Sequence, residues 1–513
     1  MPTDPANGQA PAERRTILLL VAILVLFSLP DLLSPPITPT GLRQVQTFSQ
    51  AVNFVAGGFS PHALTLDIDG PHPFRVVHEF PLYQGLAGVL CAVFGPSVFW
   101  GKLISLVATS VALWLAFRLA RQKWGASLAW RAGLVVATCP VVLLVSASFQ
   151  PDALALALGA WSGRELARWR NDPTFGRWLL FLGWFTIAAL AKFTVIVPFL
   201  PLFAWAVFSR GNTWRMLRVG EWIAALVLFL VPFVAWNLYR GTVIDPRYLV
   251  VEREMFMIGD LNRFLVAGYY AKAGFILGAM VLCGAGIPLL LLGFRGLDAA
   301  GWALIAGLPL YFFILPTSAT QTYYSFPLVP ALALLAGRGL LTLENAVAAR
   351  WRNALRAAVG IGWIAGFAVA APYTLRHDNI SLTAAHAVRD VSAKDDLLFV
   401  MNMHDRGVAI GSFNPTIITL AERRGWNIDF RSADPAQIRE QIESRRRDGA
   451  RWIVATWYSP DLEPWFTPFL PTAFARQPRF GGAPVDGRSI VEQLAQEYPI
   501  AARGTNHAVL RLP

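Results

Sequence analysis

Apolar runs of about 20 residues recur along the chain from Thr16 to Ala371, separated by short polar or basic segments. Each run is long enough to cross the ~30 Å hydrocarbon core of a bilayer as an α-helix. Because lipid offers no partner for open backbone groups, the pattern predicts an α-helical polytopic membrane protein with about eleven transmembrane helices. Two of the runs, Trp178–Ala191 and Val195–Phe208, predict a tight pair joined around Lys192.

Polar residues dominate in two places. Between the first apolar run and the next lies a segment of about fifty residues, 35–84, in which Gly41–Val55 and Pro81–Phe94 are predicted as interfacial helices. After residue 375 the chain becomes mixed and charged. There the strand-like segments DLLFVMN, RWIVATWY and HAVLRLP alternate with helix-like TIITLAERRGW and PAQIREQIESRRRDG. This alternation predicts a C-terminal soluble α/β domain.

Basic residues indicate how the chain is oriented, because cytoplasmic loops of membrane proteins are enriched in lysine and arginine. Arg14 and Arg15 precede the first run, and RLARQK and RELARWRND follow later ones. The expected organisation is a disordered cytoplasmic start (1–13), a transmembrane body (14–375) with the 35–84 loop outside, and an extracytoplasmic domain (376–513). This orientation fits the inner membrane of a bacterium.

Composition narrows the class further. The chain is 55% hydrophobic and only 15% charged, whereas soluble domains are about 25% charged. The positive-inside rule accounts for the net charge of +12, so a nucleic-acid partner is not expected. Neither GxxxxGK[ST], GxGxxG nor GxSxG occurs, and the three cysteines lie isolated in apolar runs. Nucleotide binding and a nucleophile elbow are therefore not predicted.

Two carboxylates stand out by their position. Asp152, in the segment FQPDAL, lies at the outer turn between two apolar runs, where a charge is expensive and marks a functional site. It could also cap the next helix, and the two roles can coexist. Glu79 follows His78 and precedes an interfacial helix. Low-dielectric surroundings would raise its pKa and suit a general base; alternatively it pairs with Arg75 or Arg43.

Two lysines lie at the outer ends of apolar runs, where the positive-inside rule does not explain them. Lys192 and Lys102 could converge on a phosphate and stabilise it as a leaving group, or could extend to lipid headgroups. Tyr323 and Tyr324, at the outer end of another run, belong either to the interfacial aromatic belt or to a surface that stacks on a sugar ring.

The first outer loop also contains a weak metal-site candidate. Asp67 and Asp69 are two residues apart beside Gly70 and could bind a divalent cation together with His72 or His78. Spacing alone does not supply three convergent ligands. No cofactor is required by the chemistry considered below, and the metal is kept as an alternative.

The segments GLRQVQTFSQAVNF, HEFPLYQ, FQPDAL and TYYSFPLVPALALLAG, with the segment around Lys192, resemble the GT-C class of membrane glycosyltransferases. This class includes the protein mannosyltransferases and the aminoarabinose transferase of lipid A, which are family 39-like enzymes. The segments are similar to those of a bacterial subgroup whose first loop carries a Trp-Arg-Gln motif. This chain has Leu42 where that motif has tryptophan.

The resemblance implies transfer of a sugar from a polyprenyl-phosphate donor to a lipid, glycan or protein acceptor, by a single displacement with inversion. It implies that Arg43, Lys192 and Lys102 contact the donor phosphate. Substrate contacts are expected from Gln44, His78, Tyr83, Tyr323 and Tyr324. Mannosyltransferase-like members carry an acidic residue where Arg43-Gln44 stands here, so the base is expected to be Glu79 or Asp152.

The alternative is a transporter or flippase of a lipid-linked sugar. Such a protein would show internal repeats and broken helices near the middle of the membrane. The sequence contains no clear repeat, and its polar residues concentrate at the predicted outer rim.

Overall fold

A computed structural model describes residues 5–36, 41–209, 219–249, 265, 267–315, 322–374, 379–403, 414–428, 435–457, 479–480, 483–484 and 487–513. The basic segment 210–218 and residues 250–264 lie outside these ranges. Helices dominate the first three quarters of the chain, and strands appear in the first loop and in the tail.

The helices before residue 210 are α1 (Pro5–Leu33), α2 (Gly41–Ala56), α3 (Leu82–Phe94), α4 (Val98–Trp124), α5 (Ala126–Ala137), α6 (Pro140–Ser146), α7 (Asp152–Asn171), α8 (Phe175–Ile196) and α9 (Leu200–Phe208). Those that follow are α10 (Val219–Val243), α11 (Tyr269–Val281), α12 (Gly286–Gly293), α13 (Ala299–Ile314), α14 (Val329–Ala346) and α15 (Arg352–Thr374). The tail contributes α16 (Asn379–Val391), α17 (Thr416–Leu420), α18 (Pro435–Arg447) and α19 (Gly487–Leu494).

Among the described residues, six helical stretches are long and apolar enough to cross a membrane, and two bent pairs raise the number to eight if each pair crosses once. The predicted fold class, a polytopic helical membrane protein with a C-terminal α/β domain, is confirmed. The predicted number of about eleven spans is not. One reason is that α5 and α6 meet at 64°. Separately from the number of spans, α1 begins at Pro5, within the start that the sequence predicts to be disordered.

The chain reverses direction at Lys192. Its backbone leaves the helical region there (φ −167°, ψ 98°), and the rings of Phe185 and Phe203 on either side lie 5.7 Å apart. On one continuous helix these two residues would be about 27 Å apart, because each residue rises 1.5 Å. The stretch Phe175–Phe208 therefore folds back on itself, as the predicted tight pair requires, and Lys192 lies at its turn.

The tail forms a seven-stranded mixed sheet with helices on both faces. Its strands are β3 (Leu397–Asn402), β4 (Arg424–Asn427), β5 (Ala450–Thr456), β8 (Ile500–Arg503) and β9 (His507–Arg511), together with β1 (Thr65–Asp69) and β2 (His72–Arg75). The spatial order is β2-β1-β4-β3-β5-β9-β8, with β3 parallel to β4 and β5. A separate hairpin pairs β6 (Arg479–Phe480) with β7 (Ala483–Pro484).

Alternation along β3 explains the layers, because successive side chains point to opposite faces of a sheet. Leu398 and Val400 pack in the hydrophobic cluster that includes α16 and α17. Phe399 and Met401 pack on the other face, in the cluster that includes α18 and α19. The tail is thus a three-layered α/β domain, as predicted from its alternating segments.

One part of the tail prediction is wrong. TIITLAERRGW is predicted as a helix, but α17 ends at Leu420 and Arg424 already begins strand β4. Glu422 between them has a left-handed backbone (φ 56°), which a helix does not continue through. The strand forms because β3 on one side and β1 on the other offer it backbone partners.

The first outer loop belongs to the same sheet. Strand β1 lies antiparallel to β4 with Asp69 opposite Trp426, and Gly70 N donates a hydrogen bond to Gly425 O at 2.7 Å. Gly70 has φ +61°, and a Cβ there would overlap the Trp426 ring. A strand pair from residues 65–75 thereby joins the tail, which begins about three hundred residues later in the sequence.

Candidate active site

Four charged side chains from four separate elements meet at one place, two of them contributed by the 35–84 segment. Arg43 lies in the first turn of α2, Glu79 in the segment between β2 and α3, and Asp152 at the start of α7. Lys192 lies at the non-helical break inside α8. Ion pairs connect them in the order Arg43, Glu79, Lys192, Asp152. All four were named from the sequence, and the structure brings them together.

Arg43 and Glu79 form one end of this cluster. The Nη2 atom of Arg43 donates to both carboxylate oxygens of Glu79 at 2.7 Å, and each side chain is only 12% exposed. Burial is the largest single influence and lowers the pKa of Arg43, yet the Glu79 carboxylate together with the neighbouring tyrosines Tyr323, Tyr248 and Tyr324 outweighs it, and the pKa is raised. Arg43 is thus a permanent buried cation.

The raised pKa predicted for Glu79 is wrong. Burial is the largest single influence and does raise the pKa, but the charges of Arg43 and Lys192 together outweigh burial and lower it to about 2. The pairing with Arg43 that was considered as an alternative is therefore what the structure contains. A carboxylate held so firmly in its ionised form is a weak proton acceptor, because basicity follows the pKa.

Lys192 and Asp152 form the other end. Lys192 Nζ donates to Asp152 Oδ2 at 2.8 Å and lies 3.8 Å from Glu79 Oε1, so it bridges the two carboxylates. Both members of the shorter pair are deeply buried, with side chains 5% and 1% exposed. Lys192 also lies 5.4 Å and 5.5 Å from the ring centres of Tyr323 and Tyr324.

Several buried polar atoms around this cluster have no hydrogen-bond partner within the described part of the chain. They are Arg43 Nη1, Asp152 Oδ1, Gln84 Oε1, and both Nε2 and Oε1 of Gln150. Leaving a buried polar atom unpaired costs about 1–3 kcal/mol, so native proteins rarely do so without a reason such as ligand binding. Arg43 Nη1 and Asp152 Oδ1 belong to the cluster itself, so a polar ligand bound there would complete their hydrogen bonding.

Gln150 and Gln84 are residues that the sequence reasoning missed. Gln150 is fully buried and lies two residues before Asp152, within the same FQPDAL segment that drew attention to the aspartate. Gln84 is 2% exposed and lies at the end of HEFPLYQ. Uncharged amides inside otherwise apolar segments were the signal that could have identified both.

The segment that carries Glu79 is fixed from three sides. Gln50 Nε2 on α2 donates to Val76 O at 2.6 Å, and Arg240 Nε on α10 donates to Val77 O at 2.6 Å. The next residue, His78, forms a 3.0 Å hydrogen bond through Nε2 with the hydroxyl of Tyr248. Backbone and side chain are thus both held, so Glu79 is presented to Arg43 and Lys192 in a defined position.

Other predicted site residues form hydrogen bonds elsewhere in the protein. Lys102 is fully buried and its Nζ donates to the carbonyl oxygens of Asp31 (2.6 Å) and Ser34 (2.8 Å) at the end of α1. Gln44 Oε1 accepts from Phe149 N, and the Tyr83 hydroxyl donates to Gly101 O at 2.7 Å. The contacts predicted between these three residues and substrate remain predictions.

The two aspartates predicted as candidate metal ligands each lie beside an arginine. Asp69 accepts from Arg247 Nη2 at 2.8 Å, and Asp67 lies 3.8 Å from Arg424. His72 is exposed at the start of β2. Across the described ranges, no group of three His, Cys, Asp or Glu side chains is arranged to hold a metal ion. Through Arg424, Asp67 contributes to the junction between loop and tail, whereas Asp69 connects the loop to the segment after α10 through Arg247.

The chain is similar to known proteins in sequence and in structure. Residues 72–239 match the family described as dolichyl-phosphate-mannose-protein mannosyltransferase. No curated protein sequence matches the chain.

Among solved structures, ArnT from Cupriavidus metallidurans bound to undecaprenyl phosphate aligns with TM-score 0.56 and 15% identity over 96% of this chain and 97% of that one. The apo form of that protein gives TM-score 0.54 at 15% identity over 99% and 98%. The apo Archaeoglobus fulgidus oligosaccharyltransferase gives 0.50 at 11% identity over 86% and 69%.

The fold is that of a GT-C class membrane glycosyltransferase, and the resemblance inferred from the sequence motifs is confirmed. Within that class, the matched family model covers β2, α3 and the helices up to α10, which is the region that contributes Glu79, Asp152 and Lys192. The chain is accordingly a multi-pass membrane protein.

Proposed function

We propose that this protein transfers a sugar from a polyprenyl-phosphate donor to an acceptor hydroxyl at the outer face of a bacterial inner membrane. The observation that carries the proposal is the buried Arg43–Glu79–Lys192–Asp152 cluster with unpaired polar atoms at both ends. The ArnT structure with undecaprenyl phosphate supports a lipid-phosphate donor for a chain of this fold.

The proposed orientation follows from the charges along α7. This helix begins at Asp152 and ends with Arg168 and Arg170 in its last turn, about 30 Å away at 1.5 Å per residue. The basic end belongs on the cytoplasmic side by the positive-inside rule, so the Asp152 end faces outward. The tail, which shares a sheet with the first loop, is then extracytoplasmic.

Donor binding would rearrange the cluster. Two cations and two carboxylates neutralise each other before substrate arrives. A phosphodiester brings one negative charge, and Lys192, already between two carboxylates, is the cation best placed to turn toward it. Arg43 offers the unpaired Nη1 for the same purpose. Charge-assisted hydrogen bonds from both would stabilise the phosphate as it becomes the leaving group.

Asp152 is the better base of the two predicted candidates. Both Glu79 oxygens accept from Arg43, whereas Asp152 Oδ1 has no partner among the described residues. In the proposed step the acceptor oxygen attacks the anomeric carbon and its proton passes to Asp152 Oδ1. The bond between that carbon and the phosphate oxygen breaks with its electron pair on the phosphate. The single displacement inverts the anomeric centre, and no metal ion is required.

Glu79 is assigned to positioning. It holds Arg43 through two hydrogen bonds and contributes to the placement of Lys192, so its removal would disturb phosphate binding rather than proton transfer. Tyr323 and Tyr324, whose rings lie near Lys192, are assigned to the sugar, since aromatic faces pack against sugar rings. Gln84 and Gln150 offer amide groups for sugar or acceptor hydroxyls.

The test is sugar transfer by purified protein in detergent or proteoliposomes, with a labelled polyprenyl-phosphate sugar and an acceptor pool from bacterial envelopes. Asp152→Asn is expected to lower the turnover number by about 10²–10⁴-fold, the usual contribution of a general base. Glu79→Gln is expected to raise the KM for the donor. Asp67→Asn, on the same loop but paired with Arg424, is the matched control. Full transfer by Asp152→Asn would refute the assignment.

A transporter or flippase is the second candidate, and one observation favours it. Helices α5 and α6 are bent by 64°, and Cys139 Sγ at that break contacts Met280 O at 3.6 Å, close to the break between α11 and α12. Broken helices that touch are a feature of transporters. The same proteoliposomes separate the two functions, because a transporter would move the label between leaflets without forming a glycosylated acceptor.

A further inference from the structure

A cavity lies inside the helical bundle, and none of the four cluster residues lines it. It has a volume of about 470 Å³ and is lined by α4, α5, α7, α9, α13 and α14. Protein interiors contain few voids larger than a water molecule, and apolar cavities do not hold water stably. Ligand sites typically measure about 300–1,000 Å³, so this cavity is large enough for a ligand.

The cavity is long, apolar and aligned with the helices. It extends along α4 from Thr109 to Lys123 and along α7 from Leu156 to Arg170, which corresponds to about 21 Å in each case. One leaflet of a bilayer contributes about 15 Å of hydrocarbon. The cavity is thus deep enough to take one hydrocarbon chain that enters from a single leaflet.

Only one end of the cavity is lined by exposed residues within the described part of the chain. Gln122, Lys123 and Asn171 are exposed there, at the ends of α4 and α7. At the opposite end, Val142 and Phe326 are each 1% exposed and close it. An occupant must therefore enter from the side to which the basic ends of α4 and α7 point.

The open end is positively charged. The Arg170 guanidinium lies 4.4 Å from the centre of the Trp205 ring, and Lys123 Nζ lies 5.4 Å from the same ring. Lys123 pairs with Asp298 at 2.9 Å, whereas Arg170 forms no ion pair with any described carboxylate. A half-buried arginine stacked on tryptophan beside an apolar shaft is suited to a phosphate group whose hydrocarbon chain fills that shaft.

We propose that this cavity binds an anionic phospholipid from the leaflet opposite the active site, with its headgroup at Arg170 and one acyl chain inside. The polyprenyl donor is the less suitable occupant, because its phosphate belongs at the Lys192 end, which is closed off from this cavity by buried side chains. The site is separate from the sugar-transfer cluster, so the two assignments can fail independently.

The experiment is native mass spectrometry of the delipidated full-length protein titrated with phosphatidylglycerol, with phosphatidylcholine of the same chains, or with undecaprenyl phosphate. One phosphatidylglycerol per chain is expected to bind about fivefold more tightly than phosphatidylcholine, the factor for one basic residue at a membrane surface. Arg170→Gln should abolish that preference. Arg168→Gln, two residues away and paired with Glu165, should retain it.

Filling the cavity tests the chain-binding part. Gly163 lines it, and a Cβ there would meet only ordinary contacts, at 3.6 Å from Phe203 and 3.7 Å from Leu119, so the leucine of Gly163→Leu would extend into the space. Binding should fall at least tenfold. Gly183→Leu on α8, with nothing within 4 Å of its Cβ, is the control, and Ala160→Leu replaces Gly163→Leu if that variant does not fold.

Three results would overturn the proposal. Equal binding of the two phospholipids would show that the basic mouth does not select a phosphate-bearing anion. Unchanged binding in both cavity-filling variants would place the lipid elsewhere. Competition by undecaprenyl phosphate for the same site, lost in Gly163→Leu, would assign the cavity to the donor chain. Sugar transfer is measured separately, so a failed phospholipid site leaves the proposed enzyme activity standing.

Discussion

The buried pair of Lys192 and Asp152 makes a quantitative prediction about stability. At an effective dielectric constant of about 20, the Lys192 charge is attracted by about 6 kcal/mol to Asp152 at 2.8 Å and by about 4 kcal/mol to Glu79 at 3.8 Å. Desolvation offsets much of this attraction in the intact cluster. Lys192→Met removes the cation and leaves Asp152, only 1% exposed, as an uncompensated buried charge, which costs about 3–5 kcal/mol.

The two halves of the pair should not be equivalent. Asp152→Asn leaves Lys192 with Glu79 as a remaining partner, so its cost should be lower, about 1–3 kcal/mol. The double variant Lys192→Met/Asp152→Asn contains neither the unpaired Asp152 carboxylate nor the Lys192 ammonium. The double variant should therefore be less destabilised than Lys192→Met alone, which makes the coupling energy of the double-mutant cycle larger than the cost of about 1–3 kcal/mol expected for Asp152→Asn.

The measurement is the apparent unfolding temperature of each purified variant, all in the same detergent. A loss of about 3–5 kcal/mol in unfolding free energy corresponds to a fall of several degrees in that temperature. Arg177→Met is the matched control. Its ion pair with Asp172 has a similar length, 2.7 Å, but the two side chains are 38% and 60% exposed, so little change is expected. Additive effects in the cycle, or a larger loss for Asp152→Asn than for Lys192→Met, would refute the reasoning. Lys192→Met, Asp152→Asn and the double variant should all remain deficient in sugar transfer, including the double variant that is expected to be more stable than Lys192→Met alone.

Three further predictions concern the first loop and its neighbours. The pKa of Glu79 is lowered to about 2, so its ionised form stabilises the fold above the unfolded-state pKa of about 4.5, and up to about 3 kcal/mol is lost as pH falls from there toward 2. Glu79→Gln should flatten the pH dependence of unfolding in that window, and an unchanged slope would contradict it. Gly70→Ala should destabilise the junction of loop and tail by about 1–3 kcal/mol and expose the tail to protease, because the new Cβ meets Trp426. Gly58→Ala, with a similar φ of +66° but nothing within 4 Å, separates backbone strain from the collision. Lys102→Met should lower the unfolding temperature, since two carbonyl oxygens at the end of α1 lose their hydrogen-bond donor. The KM for the polyprenyl-phosphate sugar should stay unchanged, and a raised KM would instead support the phosphate contact predicted from the sequence.

The sequence predicted the transmembrane body and its charged cluster for a clear physical reason. A charged residue within or beside an apolar run is expensive, so Asp152 and Lys192 were visible as exceptions without any knowledge of the fold. Glu79 was visible because it lies just before a helix that the sequence predicts to be interfacial. The same rule does not decide the role of Lys102, because a buried ammonium can also be satisfied by backbone carbonyls, and the carbonyls at the end of α1 reach Lys102 only through tertiary packing.

The direction in which the pKa of Glu79 is shifted could not be predicted from its neighbours in the sequence alone. Its burial was anticipated correctly, but burial determines the pKa only when no cation is near. Arg43 comes from the preceding helix and Lys192 from a reversal more than a hundred residues further along the chain. Their charges change the sign of the shift, and their proximity follows from the way α2 and α8 pack, which hydrophobic periodicity does not specify.

The largest difference between the sequence-based expectation and the structure is that the first loop contributes two strands to the sheet of the tail. The segments TLDID and HPFR are short and half polar, typical of an outer loop, and their partner strand β4 lies about 350 residues away. Once paired, they connect the tail to the site through very few residues. Strand β2 ends at Arg75, and Val76, Val77 and His78 are each held by a hydrogen bond before Glu79 is reached. A displacement of the tail sheet would therefore move the carboxylate that orients Arg43, so the tail belongs to the scaffold of the site although it supplies none of the four charges.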